Sequence, residues 1–212
     1  KVTKNGCSVQ LDGARLGIIP PPRTPVYLGA LGPQMVRLAG EVADGAALNW
    51  CTPEQVAWSR RRMHEGAQAA GRDPADLKLA EYIRVCVDDD TEAARIALAK
   101  ATLGYALGPK EGPNAKPMGY RAHFNRMGFA EELSYMDSMR NEGASLQELA
   151  KACPPELLMG VGYFGDSKGA AKAFRRLADG LDIAMVRVVV TKPGINSVLA
   201  TMNACRPNLV GA

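Results

Sequence analysis

At 212 residues, with 47% hydrophobic and 23% charged side chains, the chain is long enough for one domain with a sizeable core. The formal net charge of +4 is mild, and Arg60-Arg61-Arg62, on a predicted helix, is the one basic triplet, which argues against a nucleic-acid partner. No apolar run approaches the roughly 18 residues of a membrane span, and two histidines, His64 and His123, share no ligand spacing, so no metal site is expected.

Residues 1–25 have little periodicity and end in Pro20-Pro21-Pro22-Arg23-Thr24-Pro25. They read as a connecting arm with a short hairpin at Ser8–Leu11. An apolar strand is predicted at 26–30, followed by a turn with two glycines, Gly29 and Gly32. Pro33 suits the first helical position, where a missing N–H costs nothing. Met35, Leu38, Ala39 and Val42 recur at helical spacing, and Asp44-Gly45 ends that helix before a second strand at 46–50. Strand, short helix and strand in so few residues make a compact unit whose strands should be parallel neighbours.

Thr52-Pro53-Glu54-Gln55 reads as a helix start in which Thr52 caps and Gln55 completes a capping box. Val56, Met63, Ala67 and Ala70 should line one face, with Gly71 as the stop. At 77–87, Leu77, Leu79, Ile83, Val85 and Val87 alternate with Lys78, Ala80, Tyr82, Arg84 and Cys86, and in a barrel the second set points inward. Asp88-Asp89-Asp90 then leads a helix at 91–107. A Pro- and Gly-rich loop at 108–119 opens a Met-rich, mostly helical excursion that Cys153-Pro154-Pro155 breaks. Asp166 should cap a helix at 167–179, Ile183–Val190 reads as a nearly continuous apolar strand, and a last helix spans 194–205.

The run GALGPQM, then RLAGEVADG and ALNW, resembles the bacterial-luciferase-like flavin and deazaflavin oxidoreductases. The likeness continues through TPEQ, YRAHFNRMGF and GDSKGAAKAFRRLADGLD. It implies an α/β fold, a TIM (β/α)8 barrel, of which this chain carries about the last four strand–helix units and a helical insertion at 108–155. On that reading 1–212 is a single partial domain, and the first half of the barrel lies elsewhere in the same product or in a partner chain. The resemblance implies hydride transfer between a deazaflavin, coenzyme F420, or FMN and a small organic substrate. GALGPQM is closer to the deazaflavin-dependent branch; with FMN a monooxygenase becomes the expectation. It further implies a homo-oligomer. Two rival readings remain: a non-catalytic half-barrel that holds structure or cofactor, and a barrel enzyme acting on a phosphorylated substrate.

The candidate site lies where barrel active sites lie, at strand C-termini. Gly29, Ala30, Leu31, Gly32, Gln34 and Met35 place backbone amides at a helix start, which suits a phosphate. Asn49 can donate to a phosphate or a ring carbonyl, and Trp50 can pack against the cofactor or plug the core. Arg84 and Arg187, each inside a predicted strand, need either an anion or a carboxylate such as Glu81. Lys110, Lys116, Tyr120, Arg121 and His123 belong to the insertion, as a lid, an interface or an anion contact; His123 has no visible orienting carboxylate. Met118, Met127, Met136 and Met139 read as helix packing. No catalytic residue is identifiable. Five scattered cysteines without a Cys-x-x-Cys, and a start without a secretory pattern, fit a reduced, cytoplasmic setting.

Overall fold

The computed structural model describes residues 2–6, 10–15, 17, 24–108 and 119–206. The arm carries two strands, β1 (Val2–Asn5) and β2 (Gln10–Ala14), paired antiparallel and separate from the main sheet. The expected hairpin is therefore present with longer arms; its tip at 7–9 lies outside the described residues.

The main sheet is parallel throughout. Its first unit is β3 (Tyr27–Gly29), α1 (Pro33–Val42), β4 (Gly45–Asn49), α2 (Pro53–Ala69) and β5 (Lys78–Val87). After β5 come α3 (Thr91–Ala106) and, past residues 109–118, four short helices: α4 (Tyr120–Arg126), α5 (Ala130–Asn141), α6 (Leu146–Ala152) and α7 (Pro155–Val161). The chain re-enters the sheet as β6 (Gly162–Gly165) and continues through α8 (Ser167–Leu177), β7 (Ile183–Val188) and α9 (Ile195–Ala204). Five βα units, their strands parallel in one sheet, give the α/β barrel-type architecture expected. The short strand β6 was not expected. The prolines at 154 and 155 break the helical run, but α7 extends it to Val161 before a Gly-bounded strand of four residues.

Strand β5 organises the sheet. Its residues 78–82 pair with β4 and 84–87 with β6, while β7 pairs with 80–85. Since the β7 register overlaps both others, β7 must run along the opposite edge, and β6 prolongs the line of β4. Leu79, Ile83 and Val85 are buried against the helices. Tyr82 on the other face is 46% exposed, but Ala80, Arg84 and Cys86 of the same set are buried, so burial does not alternate along the strand as expected. Ile183–Val190 departs from its continuous-burial reading: Ile183 and Arg187 are exposed, because β7 is an edge strand with one open face.

Helix α1 also departs from expectation. Its buried residues are Val36, Ala39 and Gly40, while Met35, Leu38 and Val42 are exposed, at 43%, 38% and 67%. The reason is a backbone-to-backbone crossing with α2. A Cβ on Gly40 would lie 1.9 Å from the Met63 carbonyl oxygen, and one on Gly66 would lie 2.0 Å from that of Arg37. Only glycine permits that approach, so the contact runs along the small-residue side of α1. On α2, Val56, Met63 and Ala67 are buried as expected, whereas Ala70 is exposed. Thr52 accepts from the Gln55 amide, but the Gln55 side chain turns to Ser59, so no capping box forms there. Ser145 and Glu148 make one at α6 instead. Asp90 and Asp166 cap α3 and α8. Met136 is buried among the α3–α7 helices, with Met127 and Met139 packed on the same cluster; Met118 lies outside the described residues.

Candidate functional site

The C-terminal ends of β3 and β4 are joined by the Ala30 amide, which donates to the Ala47 carbonyl at 3.1 Å. Beyond it, Ala30–Gly32 turn into α1 with Pro33 as the first helical residue. Gly32 has φ −84° and ψ 160°, so its conformation suits any residue; a Cβ on Gly29 or Gly32 would meet nothing within 4 Å. Among the described residues, the amides of Leu31, Gly32, Gln34 and Met35 have no hydrogen-bond acceptor. The first amides of a helix lack internal partners and carry the positive end of its dipole. The turn is thus open and unpaired in the way an anion cradle requires. Arg126 of α4 adds a positive charge beside it, donating to the Leu31 carbonyl at 2.8 Å.

The next turn is closed. Trp50, directly after β4, has φ 59°, a left-handed conformation that costs a bulky residue on the order of 1–3 kcal/mol. It is held on both sides. The Cys51 amide donates to Glu81 Oε1 at 2.7 Å, and His123 Nε2 lies 2.8 Å from the Trp50 carbonyl. A carbonyl only accepts, so Nε2 carries the ring proton, and Nδ1 is left to accept from Arg126 Nη2 at 3.5 Å. A chain of polar contacts therefore runs from the Leu31 carbonyl through Arg126 and His123 to the Trp50 carbonyl, tying the insertion to both strand ends. Burial draws the His123 pKa down to about 4, leaving the ring neutral at pH 7. Burial likewise raises Glu81 to about 8, so its carboxyl is protonated there, with Oε2 unpartnered among the described residues. Cys51 Sγ lies 3.7 Å from His123 Nε2, but burial, reinforced by Glu81, lifts its thiol well above the usual range, which makes it a packed group rather than a nucleophile.

On the open face, Asn49 is gripped at both ends. Its Nδ2 donates to Tyr120 Oη at 2.7 Å, and its Oδ1 accepts from Arg84 Nη1. The Arg84 guanidinium stacks 3.9 Å from the centre of the Trp50 ring and 5.5 Å from that of Tyr105. The Trp50 side chain is fully buried, with Phe124 and Tyr105 also against it and Nε1 unpartnered among the described residues. Trp50 is therefore the core plug, and a cofactor has no exposed indole to pack on; its influence reaches the face through Arg84. The expected partnership of Arg84 with Glu81 fails. The two are three residues apart on one strand, hence on opposite faces, and among the described residues Arg84 meets no carboxylate. Arg121 is paired with Asp137. Lys110 and Lys116 lie outside the described residues. Sequence reasoning missed Arg126, Tyr105 and the role of Tyr120. No local signal marks Arg126, because what distinguishes it is the docking of α4 onto a turn 95 residues away.

A profile of the luciferase-like monooxygenases matches residues 1–182. The chain belongs to that family. Among its relatives, 5,10-methylenetetrahydromethanopterin reductase of Methanolobus tindarius is 36% identical over 97 residues, 46% of this chain and 29% of that protein. F420-dependent glucose-6-phosphate dehydrogenase of Mycolicibacterium gilvum is 33% identical over 96 residues, 44% of this chain and 29% of that protein. A solved F420-dependent secondary alcohol dehydrogenase, in complex with an F420-acetone adduct, superposes with a TM-score of 0.65 at 20% identity, over 97% of this chain and 56% of that structure. That likeness bears on the fold, and the luciferase-like chain spans about half the length of the solved relative it overlays.

Proposed function

We propose that this chain supplies the part of a luciferase-like oxidoreductase that holds the phosphate end of a flavin-type cofactor, coenzyme F420 in preference to FMN, for hydride transfer to or from a small organic substrate. The observation that carries the reading is the turn after β3: unpaired amides at Leu31, Gly32, Gln34 and Met35, clear space over Gly29 and Gly32, and Arg126 alongside. These are the donors a phosphate needs, set at a helix start just past a strand end. The preference for F420 rests on the sequence relative named for dependence on it. A bound cofactor supplies the hydride chemistry through its ring, and the protein binds and orients it. Here the amides and Arg126 hold negative charge, and Asn49, fixed by Tyr120 and Arg84, presents its amide edge on the same side of the sheet.

The partial-domain reading belongs to the same proposal. β3 and β7 each have one unpaired edge among the described residues. Apolar Met35, Leu38 and Val42 on α1, and Ile195, Leu199 and Met202 on α9, stand exposed at the two ends. Further βα units, from the same product or a partner chain, would cover both. Homo-oligomerisation rests on the family resemblance alone. A cytoplasmic setting is supported by four free, buried cysteines, Cys51, Cys86, Cys153 and Cys205.

The test is Gly32→Val in the intact protein. The extended backbone at Gly32 accepts valine, so the fold should survive by circular dichroism. A branched side chain there crowds the amides, and titration with F420 and with FMN should show affinity weakened by about 1–3 kcal/mol, the scale of a distorted charge-assisted hydrogen bond. Undiminished affinity in a folded variant would reduce the turn to a connection.

A further inference from the structure

The inner face of the sheet carries a second, separate concentration of positive charge. Arg84 of β5 and Arg187 of β7 are register partners on adjacent parallel strands, so their side chains leave the same face. That face is open at Tyr82 and Ile183, which stand exposed, and is covered at Arg84 by Trp50, by Tyr105 of α3 and by Asn49, itself held by Tyr120 of α4. Position matters as much as charge. Asn49, the last residue of β4, pairs with Tyr82, so Arg84 lies two residues beyond the end of β4, where β6 takes over that edge of β5.

Among the described residues, no carboxylate of the sheet neutralises the pair. The strands β3, β4, β5 and β7 contain one carboxylate, Glu81, and it faces the helices, bonded to the Cys51 amide. The flanking acids are engaged elsewhere: Asp88 with Thr191 and the Asp90 amide, Asp182 with Arg60 and the Leu79 amide. Arg187 has no hydrogen bond or ion pair among the described residues. Arg84, in contrast, is set rigidly by neutral groups: Asn49 Oδ1, the Tyr82 carbonyl at 3.1 Å and the Trp50 ring at 3.9 Å. Burial makes its protonated form harder to keep; the neighbouring Tyr105 and Tyr120 oppose that in part, and the Arg187 charge adds to it to a smaller extent. A buried arginine held by neutral partners, beside a second, exposed one that is free to reach it, is an unfavourable arrangement until an anion joins it.

We propose that Arg84 and Arg187 together bind one oxyanion group, a phosphate ester or a carboxylate, of a ligand lying on the inner face, with Arg84 as the fixed half of the clamp and Arg187 as the mobile half. This deepens the functional reading above and rests on it for placing a ligand on this face. The group bound is distinct from the one at the β3 turn, so the substrate, rather than the cofactor's phosphate end, is its source, and the substrate class is an anionic small molecule.

The test uses the two tryptophans, Trp50 and Trp58. In the intact protein with Trp58→Phe, and with any tryptophan outside this chain also replaced by phenylalanine, emission reports Trp50, against which Arg84 stacks. Titration at constant ionic strength with inorganic phosphate, and separately with acetate, should give a saturable change with at least one of them. A response to phosphate alone assigns a phosphate ester, and a response to acetate alone assigns a carboxylate. Adding Arg187→Ala, an exposed position whose loss leaves the core intact, should raise the half-saturating concentration at least tenfold. Adding Gly32→Val should leave it unchanged, which separates this site from the cofactor turn: the cofactor reading can fail in its own titration while this clamp holds, and the reverse. No saturable response in the folded protein, as when a carboxylate elsewhere in the assembly already occupies the pair, overturns the proposal. A response indifferent to Arg187→Ala overturns it equally.

Discussion

After β3 the chain leaves four amides unpaired, surrounds two glycines with open space and adopts backbone angles any residue tolerates. After β4, one hydrogen bond away, it forces a tryptophan into a left-handed conformation, buries it completely and pins the peptide on each side of it with Glu81 and His123. Neighbouring strand ends on one scaffold have thus been given opposite tasks. Unspent donors at the first are what an incoming charge can use. Satisfied, strained packing at the second fixes Asn49 and Arg84 where they stand. Strain of this kind persists only where surrounding contacts overdetermine it.

The strongest way to break the comparison is at the closed turn. Trp50→Ala removes the side chain that fills the space between Arg84, Tyr105 and Phe124, and should cost about 3–5 kcal/mol in urea unfolding. A loss below about 1 kcal/mol would mean that relief of the left-handed strain rivals the packing, and the closed turn would not be the rigid member.

Next comes the brace behind the open turn. Gly66→Val puts a branched side chain against the Arg37 carbonyl, where a Cβ alone already lies at 2.0 Å. Prying α1 from α2 should cost about 3 kcal/mol and weaken cofactor binding too, because the turn rides on α1. Loss of stability with cofactor affinity intact would show that the turn is positioned by β3 alone.

The titrating groups at the closed turn sharpen the comparison with opposite signs. Glu81 has its folded pKa raised from 4.5 to about 8. It stabilises the fold fully below the unfolded value, and that contribution is lost as pH rises through the folded one. His123, lowered from 6.5 to about 4, contributes stability above pH 6.5 that is lost as pH falls toward 4. Glu81→Gln keeps the acceptor for the Cys51 amide and removes the titration. Its stability relative to the parent should therefore climb steadily between pH 5 and pH 8; a pH-independent difference in unfolding free energy would show that Glu81 is charged in the fold.

The smallest effect is expected at the open turn itself. Gly32→Val should change unfolding free energy by no more than about 0.5 kcal/mol, as surface substitutions do. A larger loss would mean that the turn is packed by something at its mouth.

How much of this could be read beforehand varies by element. The four long-spaced strands, their parallel order and the caps at Thr52 and Asp166 were legible, because alternation and cap chemistry are local. Strand β6 was hidden by its four-residue length and by the prolines before α7. The buried side of α1 was misjudged because hydrophobicity pointed to Met35, Leu38 and Val42, whereas the crossing with α2 selects residues by smallness. The failed Arg84–Glu81 pairing was avoidable, since an odd separation along a strand puts two side chains on opposite faces. Nothing in the sequence marked Trp50 for a positive φ, a conformation usually left to glycine or asparagine.

The ten-residue span of β5, bordered by β4 and β6 on one edge and β7 on the other, has a consequence for amide exchange. Its protons between Ala80 and Val85 can meet solvent only if β4 or β6 on one edge, or β7 on the other, separates from it. In deuterated water they should be the last to disappear, while those of Leu31 and Gly32 vanish in the dead time. A protection map would then draw a boundary across these strand ends, with the slowest-exchanging backbone under Arg84 and the fastest at the open turn after β3.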